Sequence, residues 1–154
     1  MTADLWSFAT TLYAKPGVEA ACLTLQDAGA DVCLLLAGLW LDSRGVAHNP
    51  EREGQLRQAA QPWQQAVVEP LRTLRRAWRQ TAQTDPALAA LRQRLQQLEL
   101  DAEREQLARL QTLSEGWPGS TEGNARTWLK ELTPGGTITA RNASDHLHAS
   151  QAHQ

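Results

Sequence analysis

Four arginines form the most pointed chemical pattern in this chain: Arg72, Arg75, Arg76 and Arg79, in PLRTLRRAWRQ. They recur at i, i+3, i+4 and i+7, which on a helix brings all four onto one face. Leu71, Leu74 and Trp78, with Val67 a turn earlier, fall on a different face. A guanidinium offers a planar fork of donors that matches phosphate or carboxylate. The stripe can therefore dock an acidic protein surface or nucleic-acid phosphates, or pair within the chain with the acids Glu99, Asp101, Glu103 and Glu105. Residues 71–84 hold four Arg and no acid, while the flanking segments are net acidic. Four phosphate contacts are few, and a net charge of −2 gives no global pull toward nucleic acid. A plain solvated face or internal pairing ranks first, a protein partner second and RNA third.

Other reactive residue types are scattered. His146, His148 and His153 lie close together in HLHASQAH, and imidazoles can hold Zn²⁺ or Ni²⁺. A loose tail supplies no supporting partners, so no metal site is assigned. His48 stands alone in RGVAHNP with no nucleophile or ligand beside it. Cys22 and Cys33 sit in apolar surroundings and are read as two reduced core thiols. The chain contains no GxxxxGK[ST], GxGxxG, HExxH, CxxC or GxSxG. The N-terminal carboxylates, Asp4, Glu19, Asp27, Asp31 and Asp42, mostly fall at predicted helix ends, where capping explains them. No catalytic residue or cofactor is assigned, and an enzyme ranks last among the function classes.

The elements that must position these residues are helical. DVCLLLAGLWL (31–41) is apolar for about half the roughly 20 residues a bilayer span needs, and Asp31 and Asp42 bracket it. The chain opens MTADLWSF, with an acid at position 4 and no basic residue before Lys15, unlike a secretion signal. The segment is therefore expected to be a buried central helix over 31–42, surrounded on all sides. Asp4 predicts an N-cap for a helix over about 5–14, Pro16 opens a second one, and Gly29 ends it. Pro62 and Pro70 predict a short helix near 51–60, then a break or kink, with helices starting near each proline. Asp85-Pro86 opens a long amphipathic helix over 86–115, where Leu88, Leu91, Leu95 and Leu98 step 3, 4, 3 before the register rotates. That short seam makes a homodimer through the long helix the alternative to packing within the bundle. NARTWLKEL (124–132) suits a last short helix, docked by Trp117 and Trp128. From residue 133 on the chain is small and polar, and it is expected to be disordered.

The opening third resembles a known group. LWSFATTLYAKPGVEAACLTLQDAGADVCLLLAGLWL (5–41) is similar to the start of a family of small proteobacterial proteins of unknown function, about 160 residues long. The shared pattern is LWxFA…LYAxPGVExACLxLQD…DVxLLL…WL. The resemblance implies a bacterial, cytoplasmic protein and carries over no functional residues. Genes of this kind lie near one for a ribosome-associated ATP-binding cassette protein, which supports the RNA or ribosome alternative by association only.

The combined expectation is an all-α protein: a compact bundle of about five to six helices over residues 1–132, with a disordered tail over 133–154. Its expected role is a non-enzymatic protein–protein interaction module that contacts an unidentified protein partner, with no membrane association. Arg72, Arg75, Arg76 and Arg79 are the candidate partner-binding residues. The alternative is RNA or ribosome binding through the same arginines.

Overall fold

A computed structural model describes residues 4–119, 127–134 and 138–152. Among these the chain forms α1 (Leu5–Tyr13), α2 (Val18–Asp27), α3 (Val32–Ser43), α4 (Pro50–Trp63), a π-helical turn (Gln64–Val68), α5 (Glu69–Ala82), α6 (Pro86–Ser114), α7 (Thr127–Leu132) and α8 (Ile138–Ala152). No strand occurs among the described residues. The all-α bundle read from the sequence is thus the architecture, with more helices than five or six.

α3 is the hub. Every residue from Cys33 to Asp42 is buried, so this helix has no solvent-facing side. Its start is capped by Asp31, whose Oδ1 accepts from the Leu34 N–H at 3.2 Å. Its end is a Gly45 turn at φ 68°, where the Val46 N–H reaches back to the Leu41 carbonyl at 3.0 Å. Gly29 closes α2 in the same way at φ 96°, as the sequence predicts. Pro16 instead lies in the turn before α2, and Gly17 takes the left-handed N-cap position.

Of the expected break or kink in 51–82, no break occurs, and no new helix starts at Pro62. α4, the π turn and α5 run on continuously from Pro50 to Ala82. A proline ring presses on the carbonyl four residues back and offers no N–H. The slip to i→i+5 bonding falls just ahead of Pro70, where the wider turn accommodates that misfit without ending the helix.

α5 and α6 form an antiparallel hairpin joined at Gln83–Asp85. In the second half of α6, Ala102, Gln106, Leu107 and Leu110 turn into the core. Gln111 Oε1 accepts from the Leu5 N–H at 2.9 Å, so α6 satisfies the first turn of α1. α7 is capped across the fold: Asp42 accepts from the Trp128 and Leu129 N–H groups at 3.0 and 3.2 Å. Trp128 is fully buried and donates its indole N–H to the Val46 carbonyl at 2.9 Å. Trp117 stacks on it with ring centroids 5.8 Å apart. The two tryptophans do dock the last part of the chain, although 124–126 lie outside the described residues.

The expectation of disorder after residue 132 is corrected at α8, which packs along α2. Ala140, Ala143, Ser144 and Leu147 are buried at i, i+3, i+4 and i+7. Small side chains let two helices approach closely, so little aliphatic bulk is needed. His146 Nε2 lies 3.0 Å from the Pro16 carbonyl, and Lys15 Nζ donates to the Ser150 carbonyl at 2.9 Å. Gly17 is required here by its φ of 79°, and a Cβ would also stand 2.6 Å from His146 Nε2, so the imidazole would have to move aside.

Candidate functional site

The arginine stripe divides when the hairpin closes. Arg72 Nε donates to Glu99 Oε2 at 3.3 Å, and Arg75 donates to both oxygens of the same carboxylate. Arg72 also stands 4.0 Å from Glu103 Oε1, at the outer limit of an ion pair. Glu99 is buried, as a carboxylate can be only when charge and hydrogen bonds are both matched. Arg76 donates to Gln26 Oε1 at 3.1 Å on α2. Arg79 is exposed farther along the hairpin. Pairing with the long helix therefore occurs for Arg72 and Arg75, through Glu99 and Glu103 but not through Asp101 or Glu105. Those two serve α6 itself: Asp101 accepts from Gln97, and Glu105 from Arg109.

Beside this ion cluster opens a cleft of about 580 Å³ between α1, α2, α3, α5 and α6. Arg72, Arg75, Glu99 and Glu103 are part of its lining, and Trp6, Ala9, Cys22, Cys33, Leu36 and Leu107 are among its walls. The sequence held no direct signal for it, because its lining comes from segments up to a hundred residues apart. Burial, and then the charge of Glu99, push Glu103 up to about 7 against the pull of Arg72 and Arg75. Burial also lifts Tyr13 and Cys22 to about 12, and Cys33 well above the usual thiol range. Both cysteines are free and buried, so the reduced-thiol reading describes their state. Near neutral pH neither thiol is a ready nucleophile.

The opposite shoulder of the hairpin is a second candidate surface. By helical spacing, Leu74 and Trp78 turn away from the side of α5 that carries Arg72 and Arg76, and Leu91 and Leu98 turn away from Glu103 and Leu100 on α6. Leu74, Leu91 and Leu98 are 41%, 51% and 53% exposed.

The remaining sequence candidates stay apart. His48 bonds Glu53 at 2.8 Å and meets the Trp128 ring edge-on, which makes it part of the packing under α7. His146 and His148 are two residues apart on α8 and diverge by about 200° around the helix. His146 serves the Pro16 turn, the buried Nδ1 of His148 has no partner, and His153 lies outside the described residues.

Fold and cleft together define an all-α bundle with an amphipathic inter-helix groove. Residues 4–110 match the family described as Protein of unknown function (DUF2390), and the chain belongs to it. The match spans every residue of the cleft lining and stops within α6, ahead of α7 and α8. No curated protein and no solved structure matches the chain. No helix among the described residues is long and apolar enough to cross a membrane.

Proposed function

We propose that this chain is a non-enzymatic helical interaction module of the bacterial cytoplasm, and that it offers the outer shoulder of the α5–α6 hairpin to an amphipathic helix of another protein. One observation carries the reading: α5 buries none of its residues, yet its leucines and tryptophan are gathered on one side beside Leu91 and Leu98. Covering an exposed Leu contributes up to about 1.5–3 kcal/mol, and a run of three is enough to anchor a helix laid along the groove. Arg94 stands between Leu91 and Leu98 at helical spacing and is exposed, which favours a partner helix with acids along its margin. The arginine stripe supports nucleic-acid docking less well, since Arg72 and Arg75 are half-buried in the cleft lining and only Arg76 and Arg79 are fully on the surface.

The test is capture of partners by the tagged chain from its native bacterium, set against a Leu91→Glu/Leu98→Glu variant. Both side chains face solvent, so the variant should keep its melting temperature within a few degrees. It should lose the specifically captured protein. Capture that is indifferent to the substitution removes this surface from consideration. Light scattering on the purified chain separates a foreign helix from a second copy of α6.

A further inference from the structure

The cleft lies on the other shoulder of the hairpin, and the interaction reading makes no use of it. Its volume falls inside the roughly 300–1,000 Å³ typical of small-molecule sites. Its lining is amphipathic: α1, α3 and α6 contribute apolar side chains, and α5 contributes both guanidiniums. Two guanidiniums carry more N–H donors than two carboxylates have oxygens to receive comfortably. The Arg72 and Arg75 side chains keep 11% and 24% of their surface exposed, so the donors not spent on Glu99 border the cleft that both residues line. At the mouth, Tyr13, Leu23 and Leu100 leave apolar surface exposed, and Arg104 stacks over Trp6 at 4.8 Å.

We propose that this cleft binds a single-chain anionic amphiphile, with a carboxylate or phosphate headgroup on Arg72 and Arg75 and a hydrocarbon tail along Trp6, Ala9, Leu36 and Leu107. A cationic headgroup would meet two guanidiniums, and a purely apolar ligand would cover their donors without replacing the lost water. The groups facing Glu103 are Arg72 and Arg75 from α5, Glu99 on α6, Asp31 at the head of α3, and the neutral Tyr13 and Cys33. Glu103 is the acid that can accept a proton as a second anion arrives.

Isothermal titration of the full chain with dodecanoate below its micellar concentration tests this directly. One dodecanoate should bind per chain, about tenfold tighter than dodecyltrimethylammonium. Leu23→Asp/Leu100→Asp changes two exposed side chains at the mouth, preserves the helical circular dichroism, and should weaken dodecanoate about tenfold. Glu103→Gln should tighten it. Dodecyl phosphate should compete, whereas phosphatidylglycerol vesicles should take up the chain weakly. Leu91→Glu/Leu98→Glu should bind dodecanoate like the parent, so this site and the hairpin surface fail separately. Equal affinity for the two headgroup charges, many amphiphiles per chain, a mouth variant that binds normally, or tight vesicle binding without uptake of free amphiphile would each overturn the proposal.

Discussion

Glu103 illustrates how a single carboxyl reports its surroundings. Its folded pKa of about 7 stands above its ordinary value of 4.5, so between these limits the folded state holds the proton more tightly than the unfolded chain does. The associated stability is complete below about pH 4.5 and is lost as pH rises through 7. With the side chain 31% exposed, solvent reduces the full effect to something on the order of 1–2 kcal/mol. Urea denaturation at about pH 5 and pH 8 should show that decline, and Glu103→Gln should remove most of it. Asp42 is a buried acid held by two backbone donors at the start of α7. Asp42→Ala should cost about 2 kcal/mol or more, because two buried N–H groups lose their acceptor. The melting temperature reads that loss, and Asp42→Asn should recover part of it. The sequence marks Asp42 as a helix-end residue. It does not reveal that the helix being capped lies 86 residues away.

At the scale of elements, α8 is the informative case. Ala140, Ala143, Ser144 and Leu147 already carry the spacing of a buried helical stripe, but only Leu147 has aliphatic bulk. Composition therefore points to disorder, while close packing against α2 gives the helix its place. Leu147→Ala should destabilise the protein by about 2–5 kcal/mol, the usual range for a fully buried Leu. A loss of only a few tenths on denaturant titration would mean that α8 is not held on α2. The continuous run from Pro50 to Ala82 errs in the other direction. Its prolines are visible in the sequence, but the π turn that absorbs Pro70 is a register choice made by the packed helix. α1, α2, α3 and α6 were legible within a residue or two, because Asp, Pro and Gly mark their ends in the sequence.

For the whole molecule, the family match ends short of the full hydrophobic core, which takes in Trp128, Leu129, Leu132 and Leu147. α3 is enclosed partly by Trp128, Leu129 and Leu132 of α7, and Gly38 lies against Trp128 and Leu132. A Cβ on Gly38 would stand 2.8 Å from Leu132 Cδ1. A fragment ending at residue 112 keeps all of the matched 4–110 but leaves that side of the hub open to water. It should melt without a cooperative transition and bind a dye for exposed apolar surface. A sharp two-state melt of this fragment would show that α7 and α8 are accessory. Asp31 joins the two halves at their centre, accepting from Gln106 Nε2 at 2.7 Å while it caps α3.

Local pattern was sufficient for the class of fold, the buried hub between two aspartates, and the placement of four arginines on one helical face. Each of these depends on spacing along a single helix, which the order of residues encodes directly. Which arginines meet Glu99, which leucines stay outside, where the cleft opens and how α8 is held depend on contacts between segments far apart in the chain. Those contacts come from closest packing among whole helices, a competition that no short window of residues contains.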